Sequence, residues 1–405
     1  MSESLDISDS KVGISLVNSS VIPESPCIKI IDIVDVANDK ELLLANTDLL
    51  PILQWVAPTS DTLKFLFCPR KNSFIQIWDV HACQLVSTID MGYNCISIPR
   101  GWAVTNDGKT FLCAPGDTIM SSVELWDIHS STFIRKLEMG IFYPHLCISP
   151  DSRRLAVADS DHHRVHIYDL QTGIIRSSSH APATPRYPII VGWSPNSDRV
   201  MTYESLGNHT SGVASAIVWQ VTDSAVEPVT EPIQLNCAHL LYPRHIMFSG
   251  DRIIYLYHGE LLIGHLENGH FQVRVQERRE DLLGPCALSP DGQMFACITR
   301  DHNCMIVDAT SGSIIGGPLG NGGNYIHSLC FASNGDELVV LCYYASIRVW
   351  DVKAALEQYR VAHSQKDANA SSAPNEAAAS TSTPTASLFS GTHREPDLIR
   401  LIRPF

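Results

Sequence analysis

A short turn recurs seven times in this chain, about once every 45 residues. The copies are Ala57-Pro58-Thr59-Ser60, Thr105-Asn106-Asp107-Gly108, Ser149-Pro150-Asp151-Ser152, Ser194-Pro195-Asn196-Ser197, Ser249-Gly250-Asp251-Arg252, Ser289-Pro290-Asp291-Gly292 and Ser333-Asn334-Gly335-Asp336. Their second residues lie 48, 44, 45, 55, 40 and 44 positions apart. A near-constant period of this size marks an array of small supersecondary units. No such unit buries its apolar face alone, so each must pack on its neighbours.

A second pattern keeps the same beat. About 16 to 24 residues after each turn, a short apolar strand ends, usually on an aromatic and an acid. These ends are Trp78-Asp79, Trp126-Asp127, Tyr168-Asp169, Trp219-Gln220, Val307-Asp308 and Trp350-Asp351. Residues 261–266 fill the one gap in the series, without the aromatic or the acid. Inside the strands apolar residues alternate, as in Val165-His166-Ile167-Tyr168 and Ile347-Arg348-Val349-Trp350. Period-two alternation in Val, Ile and aromatics is a strand signal, and Gly, Pro, Asn, Asp and Ser between the strands supply turns. Two and four residues before each turn's second residue, thirteen of fourteen positions are apolar. Gln54 is the exception, and its bulky neighbour Trp55 implies a one-residue shift that turns the side chains over.

Helix signals are absent before residue 352, so the class is all-β. Four short strands per repeat, arranged radially, describe a closed β-propeller of four-stranded blades. The turn and the Trp-Asp ending resemble the WD-repeat family over roughly residues 27–352. The copy from Ser289-Pro290-Asp291-Gly292 to Val307-Asp308 is the most specific. The resemblance implies a propeller that serves as a protein-binding platform. The family's Gly-His pair is not cleanly placed, since Gly264-His265 and Gly269-His270 lie too far upstream of Pro290. Its turn aspartate survives as Asp301, with Asn72 at the matching place elsewhere and Asp161 one residue off.

Seven turns imply seven blades; eight, one of them incomplete, is the alternative count. Residues 28–33 read as one more third strand. Residues 40–45 read as a fourth strand that completes the last blade and joins the ends of the ring, which removes exposed sheet edges. The expected organisation is an N-terminal tail over 1–26, the propeller over 27–352 and a disordered low-complexity tail over 353–405. Within that tail, 354–362 read as helix or coil, and 368–386 are almost all Ala, Ser, Thr, Asn and Pro.

A net charge of −14 argues against nucleic acid and anionic membrane as partners, because phosphate binding needs clustered Lys and Arg. The first ten residues are polar and acidic, so no signal peptide is expected. No apolar run approaches a membrane span. The twelve cysteines include no Cys-x-x-Cys pair. Several lie within strands, such as Cys113 and Cys297, and read as buried reduced thiols of a cytosolic or nuclear protein.

Residues that could carry chemistry are few. Gly316-Gly317-Pro318-Leu319-Gly320-Asn321-Gly322-Gly323 is Gly-rich but lacks the lysine of a phosphate loop, and it reads as a plain connection. His162, His163 and His166 cluster, but His166 alternates outward on a strand while the other two sit in a turn. His145 and His245 occupy the same place in two repeats, on the strand face turned to the channel, with Arg244 and His327 near the same strand starts. Glu277-Arg278-Arg279-Glu280 differs from the Phe-Arg-Arg-Gly motif of phosphoinositide-binding propellers, because acids flank the arginines. The expectation is therefore a non-enzymatic scaffold or adaptor with no catalytic, cofactor-binding or metal-binding residue, a monomeric propeller working within a complex of other proteins. The alternative is a propeller hydrolase with its site in the channel near His145 and His245.

Overall fold

A computed structural model describes residues 14–19, 26–35, 40–41, 49–52, 64–69, 74–79, 82, 84–92, 102–114, 121–141, 145–159, 164–178, 186–206, 213–236, 246–257, 259–320, 325–332, 334–342 and 346–371. The chain divides into two units, residues 1–362 and 363–405. Among the described residues the strands form seven antiparallel sheets. In chain order they span residues 49–90, 102–141, 145–177, 186–236, 246–278, 282–319 and 326–351, the last with a strand from 27–35. Five of the seven have four strands, paired in sequence order. In sheets two to seven the recurrent turn joins the first strand to the second, and its first copy, 57–60, lies outside the described residues. The aromatic-acid ending closes the third. Residues 261–266 lie in Glu260–Glu267, the third strand of sheet five, as their spacing requires.

The core is divided between sheets. On the second strand of sheet three, Leu155 and Val157 join a cluster with sheet two, while Ala156 and Ala158 join one with sheet four. Alternate residues of one strand thus meet opposite neighbours. Arg154–Asp159 and Glu337–Cys342 are accordingly buried at every position after the first. Their near-continuous apolar run reflects burial on both faces. Fourth strands face outward, and Gln84–Asp90 and His270–Arg278 are mostly exposed. Trp193, Trp219 and Trp350 are buried between sheets, Trp78 is buried and Trp126 half-buried; the side chains of Trp55 and Trp102 lie outside the description.

The chain's ends differ from expectation. Sheet seven takes its fourth strand from Cys27–Asp35, which pairs antiparallel with Ser346–Asp351, Cys27 opposite Trp350 and Ile31 opposite Ile347. Residues 40–45 do not fill that place: Lys40–Glu41 pair with Asp35 and Val34, and 42–45 lie outside the described residues. The place is taken because Cys27–Asp35 runs in register along the third strand, from Cys27 opposite Trp350 to Asp32 opposite Ser346. Ile14–Ser19, in the expected tail, adds a further strand on Cys27–Asp35. At the other end, part of the expected disordered tail is helix α1, Val352–Ser371. Val352 and Ala355 are buried, and Leu356 half-buried, against the cluster shared by sheets six and seven. The run 316–319 belongs to the strand Ile314–Leu319 and not to a loop. No helix among the described residues is long and apolar enough to cross a membrane.

Candidate functional site

Because the strands run up and down, the turn after the first strand and the turn after the third emerge at the same end of each sheet. In sheets two, three, four and six that end is built from side chains that hold their own turns. Ser149 Oγ donates to Asp151 Oδ1 at 2.5 Å and accepts the Arg154 N–H at 2.9 Å. Asp151 Oδ1 also accepts the Arg153 N–H at 3.1 Å. Thr105 with Asp107 and Ser289 with Asp291 repeat the pair at 2.6 Å. In sheet four Asp198 takes the acid's part, accepting from Ser194 Oγ at 2.7 Å. The small hydroxyl and the acid recur because together they satisfy backbone donors that a tight turn leaves unpaired.

The turns also hold one another. The Asp107 N–H donates to Ser152 Oγ at 3.2 Å, and the Asp151 N–H to Ser197 Oγ at 3.0 Å. Where the second strand opens on arginine, its guanidinium reaches a carbonyl of the next turn. Arg154 donates to Ser197 O at 3.1 Å, Arg199 to Gly250 O at 3.2 Å and Arg252 to Gly292 O at 2.8 Å. Packing there is close: a Cβ on Gly292, whose φ is +69°, would lie 2.9 Å from the Ser249 Cβ. The fifth turn is short and offers no serine like Ser152 or Ser197. A cavity of about 340 Å³ opens at that seam, lined by Asn196, Asp198, Arg199 and Asp251 among others.

The turns after the third strands are built on the aspartate of the repeated ending. Asp127 Oδ1 accepts the N–H of Ser130 at 2.7 Å and its hydroxyl at 2.8 Å. Asp169 does the same with Thr172, at 2.7 and 2.8 Å. These bonds, the backbone N–H first, hold both carboxyls below the usual carboxylate range. At Asp308 burial works upward, but hydrogen bonds from Ser311 and Thr310 outweigh it. The face so formed is cross-linked by hydrogen bonds, polar and rich in acids. Asp151, Arg153, Asn196, Asp251 and Asp291 stand exposed on it.

Of the histidines singled out in the sequence, His145, His166 and His327 lie in described strands. His145 opens the first strand of sheet three opposite Ala158, at the other end of the sheets, and His327 lies in Ile326–Phe331. The side chains of both, and all of Arg244 and His245, lie outside the description, as do His162 and His163. His166 is described. Its Nδ1 is 2.7 Å from Ser177 Oγ and its Nε2 3.2 Å from Asp159 Oδ2, so both ring nitrogens engage side chains of its own sheet. Asp159 is buried. Cys147, Cys286 and Cys297 are free thiols. Burial pushes Cys147 up to about 12 and raises the other two, which makes them poor nucleophiles. Among the described residues no group of three or more His, Cys, Asp or Glu is placed to hold a metal ion. The residues that sequence reasoning missed are Arg154, Arg199 and Arg252. Their signal was an arginine opening the second strand in three consecutive repeats.

No protein-family model matches the chain, and no curated protein matches it. Solved structures do. The β-propeller domain of Cps50 (Swd1) from Myceliophteria thermophila aligns with a TM-score of 0.53 at 13% identity, covering 76% of this chain and 99% of that one. Hydrazine synthase from Kuenenia stuttgartiensis aligns with a TM-score of 0.53 at 16% identity, covering 73% of this chain and 94% of that one. At such identities the likeness speaks for architecture alone: with its series of antiparallel sheets, whose first strands meet in succession from sheet two to sheet seven, the chain has a β-propeller fold.

Proposed function

We propose that the chain is a non-enzymatic, WD-repeat-like propeller of seven blades, closed by Cys27–Asp35 on Ser346–Asp351, that binds other proteins through the face carrying the two sets of turns. One observation carries this reading: from the second to the sixth, successive turns are hydrogen-bonded to each other, so the face is held rigid before any partner arrives. A preorganised surface loses little conformational entropy on binding. The exposed acids on it, and the chain's net charge of −14, suit a partner segment rich in Lys and Arg. The buried, poorly reactive thiols suit a reducing compartment, the cytosol or the nucleus.

The test is affinity capture of the tagged chain from its native cells with mass spectrometry of the stoichiometric partners. The same capture is repeated with Asp151→Lys/Asn196→Lys/Asp291→Lys. Partners retained after deletion of residues 363–405 and lost from the charge-reversed face support the reading. Absence of reproducible partners, or partners indifferent to the reversal, overturns it.

A further inference from the structure

The outer edge of the first three sheets repeats a feature that the face does not use. Leu85, Phe133 and Ile175 lie on fourth strands directly opposite the aromatics Trp78, Trp126 and Tyr168. Each has an apolar neighbour, giving the pairs Leu85/Val86, Phe133/Ile134 and Ile174/Ile175, and all six side chains are 42% to 54% exposed. In sheets one and two the neighbour is the extra residue of a β-bulge, because pairing jumps from Ser87 to Leu85 and from Arg135 to Phe133. A bulge re-aims the side chain beside it. The three pairs succeed one another along the rim. Ser87 Oγ lies 2.6 Å from Ser131 Oγ, and Arg135 donates to Gln171 O at 3.1 Å, so each outer strand is tied to the next sheet beside its apolar pair.

The same feature occurs in sheet six, and there it is covered. Pairing jumps from Gly316 to Ile314, leaving Ile315 as the bulged residue. Ile315 and Leu356 of α1 pack on one cluster, and Leu356 Cδ2 would lie 3.2 Å from a Cβ on Gly316. Val352, Ala355, Leu356 and Tyr359 turn inward while Lys353, Ala354, Glu357, Gln358 and Arg360 are exposed. The chain's own solution for a bulged apolar pair is thus a helix with apolar residues at i, i+3, i+4 and i+7. We propose that the rim of sheets one to three docks an amphipathic helix of that pattern from a partner protein. This surface is distinct from the turn face and does not rest on its role. Two copies of the chain, each of net charge −14, repel one another and suit it less well.

The test places a photo-reactive amino acid at Val86, Ile134 or Ile174 of the full chain in its native cells and maps the cross-linked residues. The expected result is adducts on one segment of another protein, spaced three or four residues apart. Phe133→Glu or Ile175→Glu should cut the adduct from a neighbouring position about tenfold, as loss of an interface anchor does, with an unchanged melting temperature. Phe133→Ser replaces the glutamate if that variant melts early. Adducts confined to a second copy or to residues 363–405, adducts indifferent to these substitutions, or none from all three positions overturn the proposal.

Discussion

Sheets six and seven end their third strands alike and then part. Each closes on an aspartate whose Oδ1 accepts the N–H three residues on: Asp308 from Ser311 at 2.6 Å, Asp351 from Ala354 at 2.8 Å. After Asp308 the Ser311 hydroxyl adds a second bond, Gly312 takes φ +72°, and the chain folds back as Ile314–Leu319. After Asp351 the matching residues are Ala354 and Ala355, and the chain continues as α1. Sheets two and three side with sheet six, through Ser130 before Ser131 at φ +57° and Thr172 before Gly173 at φ +78°. The acid is common to both outcomes, so it does not choose between them. A residue able to stand in the left-handed region turns the chain back, whereas two alanines after a capping aspartate favour a helix.

The largest way to break this comparison is Gly312→Val. It forces a β-branched residue to positive φ and puts a Cβ 3.0 Å from Leu261 Cδ2. A loss of about 1–3 kcal/mol is expected in urea unfolding, and an unchanged midpoint would remove glycine from the explanation. The reciprocal variant, Ala354→Ser with Ala355→Gly, gives sheet seven the turn residues of sheet six. It should cost about 1 kcal/mol in helix propensity and lower the helical circular dichroism while the β signal stays. Undiminished helicity would mean that packing of Val352 and Leu356 alone sets the helix. Asp351→Ala removes the cap and should cost at most about 1 kcal/mol in the same assay.

The smallest effect is on pH dependence. The Asp127 and Asp169 carboxyls sit below the ordinary 3.8 because their turns donate to them. A depressed folded value means that the stabilisation is complete above pH 3.8 and is lost as pH falls through the lower, folded value. Asp127→Asn/Asp169→Asn should therefore flatten the acid limb of the stability curve below about pH 4 and leave its neutral part less changed in slope. An unaltered acid limb would show that these turns do not gain from ionisation.

Much of the fold was legible before any coordinates. The turn serines and acids are short-range devices, and Ser149-Pro150-Asp151 can be read as a turn because the Ser149 hydroxyl and the Asp151 carboxylate find their partners within five residues. The candidate face was less legible. Arg154 and Ser197 are 43 residues apart, and nothing in either repeat alone says that they meet. The bulges at Val86, Ile134 and Ile315 were hidden for a similar reason. A bulge is a mismatch between two strands, and it shows only once their register is known.

The recurrent spacing, the turn chemistry and the acid that ends each third strand belong to the amino-acid sequence by itself. They rest on backbone preferences and hydrogen bonds spanning a few residues, which a local pattern carries whole. The tertiary structure alone decided that Cys27–Asp35, and not residues 40–45, completes sheet seven, and that Val352–Ser371 leaves the repeat as a helix. It also decided that Ile315 is covered while Val86 and Ile134 are bare. Each of these turns on which distant segments compete for one edge, and that competition is settled by register and burial across the whole chain.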